Sequence, residues 1–118
     1  MLGLAPKTKV WLAAGKTDMR KGFDGLSAAA KTVLQEDPLS GHVFVFRGRS
    51  GDRVKVLWWD GQGLCLFYKR LEKGSFVWPS AKDGKVQVSP SQLATLLDGI
   101  DWRLTRSRVV TSQPTRVI

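Results

Sequence analysis

The apolar residues of this chain follow two different periods. Met19, Phe23, Leu26, Ala30, Val33 and Leu34 recur at steps of three and four, the spacing that lines up one face of a helix. This predicts a first helix, entered through a turn over residues 15–18 with Thr17 or Asp18 as its cap and stopped by Asp37-Pro38 and Ser40-Gly41. Gly22 and Gly25 each cost about 1 kcal/mol relative to Ala in a helix interior, so the helix start can slip along the chain. A short strand over residues 9–13 precedes it. Beyond residue 41 the pattern changes to runs rich in Val, Leu and aromatics at 42–47, 53–60, 64–71 and 75–78, separated by glycine-bearing turns. Turns that short cannot carry a crossover, so neighbouring strands are expected to be antiparallel. A fifth short strand at 85–88 follows the turn Lys82-Asp83-Gly84. A second helix opens with Ser89 as N-cap, Pro90 at its first position and Gln92 completing a capping box; Leu93, Leu96 and Leu97 form its apolar face, and Gly99 ends it as a left-handed cap. The predicted fold is α+β: an antiparallel meander of four to five strands with one helix before it and one after it. Residues 1–104 form one domain and residues 105–118 a basic tail.

Length and composition agree with this. A chain of 118 residues buries roughly two-thirds of its unfolded surface, and with 42% hydrophobic residues it builds a core without help from disulfides or metal. Cys65 and His42 stand alone as Cys and His, which excludes a disulfide framework and a Cys/His structural zinc site. The sequence contains neither a run of 18 apolar residues nor a signal-peptide pattern, so a soluble cytoplasmic protein without membrane contact is expected.

The formal net charge of +9 is unevenly placed. Residues 47–55 hold Arg47, Arg49, Arg53 and Lys55 against Asp52, and residues 103–118 hold Arg103, Arg106, Arg108 and Arg116 with no acid. Clusters of this kind attract phosphate chains by releasing condensed counterions. Trp58 and Trp59 are consecutive in a strand and therefore point to opposite faces. Val54, Val56 and Trp58 mark the core side. Arg53, Lys55, Leu57 and Trp59 mark a second side that either binds a partner, with the ring stacking on an unpaired base, or is covered by a helix with Arg53 and Lys55 reaching past the rim. Arg20 and Lys21, placed in the first helical turn against the dipole preference, either serve a phosphate or an acidic partner or mark an ordinary exposed helix start. The glycine loops at 48–51 and 61–63 join strand to strand and lack the Lys-Ser or Lys-Thr pair of a nucleotide-binding loop. Asp18, Asp24 and Asp60 are better explained as caps and turns than as ligands for a catalytic cation, and Cys65 as a small buried hydrophobe.

Three stretches carry a resemblance. TDMRKGFDGL at 17–26, HVFVFRGRSGDRVKVLWWDGQGLCLFYKRLEKGSFVWP at 42–79 and SPSQLATLLDGIDW at 89–102 closely resemble the TnpB-type accessory protein, the second open reading frame product, of the bacterial insertion sequence 66 family. That family is distinct from the RNA-guided nucleases that share the TnpB label. The resemblance spans about residues 9–103. It implies a mobile-element protein encoded beside a large transposase whose own acidic triad performs strand transfer, and it supplies no catalytic residues of its own. The expected function is therefore a non-catalytic accessory role in transposition, without cofactor or metal. DNA would be bound with weak sequence preference through Arg47, Arg49, Arg53, Lys55 and Trp59, together with Arg20, Lys21, Arg103, Arg106 and Arg108. The expected partners are DNA, the transposase and other proteins of the element, and a second copy of the chain. The alternative is a protein-interaction module that docks on the transposase or self-associates without touching DNA.

Overall fold

The computed structural model describes residues 7–80 and 84–101; Arg103, the expected tail with Arg106 and Arg108, and Lys82 and Asp83 of the expected turn lie outside them. The elements run β1 (Val10–Lys16), α1 (Phe23–Thr32), β2 (Val43–Arg47), β3 (Arg53–Trp59), β4 (Leu64–Arg70), β5 (Lys85–Val88) and α2 (Pro90–Leu97). The five strands form one sheet in the order β4-β3-β2-β1-β5.

The fold is α+β, but the sheet is mixed rather than a plain antiparallel meander. β2, β3 and β4 are joined by short turns and pair antiparallel, as their loop lengths require. β1, however, lies parallel to β2, with Val10 opposite Val43 and Phe46 opposite Ala13, and α1 is the crossover between them. A parallel pair needs a connection of about a dozen residues or more, and the segment between β1 and β2 is long enough to supply it. β5 then adds to the free side of β1, antiparallel, with Val88 opposite Val10. The short strand near the start of the chain is thus an interior strand of the sheet, and the helix expected before the meander is packed inside a β-α-β unit.

Both faces of the sheet are covered. Val10, Leu12, Val43, Val45, Val54 and Val56 pack under Leu93, Leu96 and Leu97 of α2, with Phe76 and the half-buried Trp58 and Trp78 beside them. On the other face Ala13, Phe44, Phe46 and Leu57 pack under Leu26 and Ala30 of α1 and Leu34 just beyond its end. Burial on both faces explains why β2 reads as an unbroken apolar run, Val-Phe-Val-Phe, instead of alternating.

Element ends follow local chemistry. The Ser89 hydroxyl accepts from the Gln92 amide and the Gln92 side chain accepts from the Ser89 amide, closing the capping box. Gly99, at φ +74°, donates to the Leu96 carbonyl while the Ile100 amide donates to Thr95, the paired bonds of a Schellman motif. The first helix differs from its predicted start: it begins at Phe23 with Gly22 as N-cap and no side-chain cap, so Thr17 and Asp18 do not cap it. Asp18 instead closes its own turn, accepting the Arg20 amide on Oδ1 and the Lys21 amide on its backbone carbonyl. Arg20 and Lys21 therefore precede the helix, and the dipole argument for them falls away. The stretch 75–78 is also not a strand; it crosses the α2 face and is tied to the β2–β3 turn.

Candidate nucleic-acid interface

At the carboxyl ends of the parallel pair β1 and β2, two segments distant in sequence meet around one cleft of about 500 Å³. Lys16, Thr17, Asp18, Met19 and Arg20 line one wall, and Arg49, Ser50 and Arg53 line the other. The first wall is the connection leaving β1, and the second is the turn and the first residue of β3.

The connection is held at both ends. The Thr17 amide donates to the Arg47 carbonyl at 2.8 Å, and the Lys55 ammonium donates to the Lys21 carbonyl at 2.7 Å. Gly48 sets the spacing of the walls: a Cβ there would sit 3.0 Å from Met19 Cγ and 3.2 Å from Arg53 Cβ. Within the connection, Arg20 forks onto Asp18, with Nη2 to Oδ2 at 2.7 Å and Nε to Oδ1 at 3.0 Å. The Arg20 side chain, followed by its backbone amide, holds the Asp18 carboxyl well below the usual carboxylate range, and the same pairing raises Arg20. A carboxyl depressed in the fold favours folding above its unfolded pKa, and that contribution is lost as pH falls toward the folded value. The fork occupies the one acid that lines the cleft, leaving Lys16, Arg49 and Arg53 beside it.

The structure distributes the residues nominated from sequence unequally. Arg20, Arg49 and Arg53 line the cleft together, and Lys16, which the charge pattern does not single out, joins them. Lys21 lies at the exposed end of the connection. Lys55 does not reach past the rim: it is 7% exposed, donating to the Lys21 carbonyl with Nζ 4.6 Å from the centre of the Tyr68 ring. Arg47 projects to the opposite face of the sheet, half-buried, its guanidinium 5.5 Å from the centre of the Trp78 ring. Trp59 is half-buried on the α1 face, the side covered by a helix. Tyr68 escapes the sequence reading. It lies opposite Lys55, and its hydroxyl accepts from Arg53 Nη1 at 3.2 Å. The available signal is its alternation with Lys69 and Arg70 in a strand whose outer face adjoins the cleft.

Asp60 accepts the Gly63 and Gln62 amides on one carboxylate oxygen, and these bonds, with a third from the Cys65 thiol, lower its pKa. Both Asp18 and Asp60 thus serve turns. Among the described residues no three His, Cys, Asp or Glu side chains come together as a metal site. Cys65 is half-buried rather than buried, and desolvation together with Asp60 pushes its thiol up. His42 Nδ1 accepts from the Lys9 amide, joining the two strand entrances.

The family model described as IS66 Orf2-like protein matches residues 8–107. The chain belongs to the IS66 Orf2-like family. It is 53% identical over 117 residues to the uncharacterized protein y4hO of Sinorhizobium fredii and 37% identical over 117 residues to the uncharacterized protein y4jC of the same organism, each alignment covering 99% of both chains. No solved structure matches it. The family implies a transposition-associated accessory role for this IS66 Orf2-like chain, and the match spans every described element, both cleft walls included. Among the described residues no helix is long and apolar enough to cross a membrane.

Proposed function

We propose that this IS66 Orf2-like chain acts in transposition without catalysing a step, by holding DNA backbone in the cleft between the β1–α1 connection and the β2–β3 turn. One observation carries the reading: cations from two separate segments, Lys16 and Arg20 on one side and Arg49 and Arg53 on the other, face a single concavity whose one lining carboxylate is already forked by Arg20. A concavity of this charge binds phosphate oxygens and conveys no base sequence. Lys55 supports the site from within by fixing the Lys21 carbonyl.

The test is fluorescence anisotropy with an element-end duplex across a salt series. Three or four phosphate contacts give a slope of about −3 in log affinity against log salt, hence roughly a hundredfold loss between about 50 and 200 mM. The Arg49→Ala/Arg53→Ala double variant should flatten that slope by about two. Affinity indifferent to salt, or an unchanged slope in the double variant, contradicts the proposal.

A second reading, docking on the transposase or on another copy of the chain, draws on β4. Among the described residues this seven-residue strand pairs with β3 alone and leaves its other edge open. An open edge of this length is a template for a further strand.

A further inference from the structure

Tyr68 combines two properties that rarely coincide. Its side chain is 47% exposed, yet its ring is held at two points: by the Lys55 ammonium 4.6 Å from the ring centre and by the Arg53 guanidinium donating to the hydroxyl at 3.2 Å. A surface tyrosine with no neighbours would sample several rotamers, whereas this one meets a ligand with much of its ordering already done. Lys55 lies against one face of the ring, and nearly half of the residue remains exposed. Arg53 also lines the cationic cleft. One arginine therefore joins a phosphate-binding concavity to a half-open aromatic surface.

The geometry points to an unpaired DNA strand as the ligand. Lys16, Arg49 and Arg53 would take the phosphates while Tyr68 stacks on a base. The aromatic ring beside the cleft favours one strand over a duplex. Bases inside a duplex present only their edges to the grooves, their faces being stacked on one another, so an aromatic plane beside a phosphate site serves a base that has left the stack. Arg53 contributes to both halves, bonding the phenol on one side and facing the cleft on the other. This inference rests on the proposed DNA binding and narrows it to strands that are single, frayed or flapped.

Anisotropy with a labelled oligo-dT strand and a blunt duplex of equal length separates the two claims, using the full chain and its Tyr68→Ala, Tyr68→Phe and Tyr68→Trp variants, each checked by circular dichroism and thermal melting. The wild type should bind the strand more tightly than the duplex. Tyr68→Ala should weaken strand binding about tenfold, the scale of losing one base–aromatic stack, with duplex binding and the salt slope unchanged. Tyr68→Phe keeps the ring and should retain most of the affinity, while Tyr68→Trp, with a larger stacking plane, should tighten strand binding and leave duplex binding unchanged, so it carries the test if the alanine variant does not fold: strand binding no tighter in the tryptophan variant overturns the stacking role. If Tyr68→Ala leaves strand binding unchanged, or weakens strand and duplex equally, the stacking role is wrong while DNA binding stands. If neither DNA form binds, both proposals fall together.

Discussion

Gly51 shows how much of this molecule can depend on one residue. Its φ is +81°, a conformation L side chains rarely adopt, and an added Cβ would come within 2.6 Å of the Ser75 hydroxyl oxygen. Its carbonyl accepts three donors, the Phe76 amide, the Ser75 hydroxyl and the Trp78 indole N–H, and so ties the segment after β4 to the turn carrying Arg49. Gly51→Ala meets strain and a clash together, and should destabilise the fold by about 2–3 kcal/mol in urea denaturation. A loss below about 0.5 kcal/mol would show that the turn relaxes freely. Gly61, also at positive φ (+99°), has open space where a Cβ would stand, with nothing within 4 Å, so the same substitution there carries the backbone strain without the clash.

At the scale of elements, α1 matters for what leads into it. The helix lacks a side-chain cap, and the connection before it is fixed from the sheet, by Arg47 at one end and Lys55 at the other. Lys55 shows why a strand carrying charge need not be a binding strand: the side chain is buried, and its ammonium finds a backbone carbonyl and an aromatic face. Lys55→Ala should lower stability by about 1–3 kcal/mol, through lost packing and an unmet hydrogen bond. Lys55→Met, which keeps the stem, should cost less yet still speed hydrogen exchange at the Lys21 amide, because the pin on the connection is gone. Unchanged exchange in the methionine variant would mean that Asp18 alone holds the turn. At the far end of α1, Lys85 of β5 reaches back to the Leu34 carbonyl and the Glu36 carboxylate, and lies 4.3 Å from the centre of the Trp11 ring. Both ends of the helix region are thus secured by lysines of the sheet it covers.

For the whole molecule, the sheet order places the cleft and the open β4 edge on neighbouring parts of one surface, linked by the contact between Arg53 and Tyr68. If β4 recruits a second copy, sedimentation at rising concentration should show a dimer. A monomer at every concentration would leave the transposase as the candidate for that edge, tested by pull-down from nuclease-treated extract.

The chain by itself determined the elements whose causes are local. The capping box at Ser89, the Schellman glycine at position 99 and the short turns of β2–β3–β4 all depend on neighbours within a few residues, and each lies where its residue types require. The tertiary structure alone decided what depends on distant pairing. Apolar periodicity marks a strand without naming its neighbour, so the parallel pairing of β1 with β2 was hidden, and with it the crossover that makes α1 part of the sheet's cover. The same blindness to distance hid where the charges meet. Arg47, Arg49, Arg53 and Lys55 are close in sequence, but Arg47 lies against Trp78 on one face and Lys55 is buried beneath the connection into α1, while Arg20 and Lys16 arrive from another segment to join Arg49 and Arg53. Local bonding is written in neighbouring residues, whereas convergence of charge is a property of the assembled sheet.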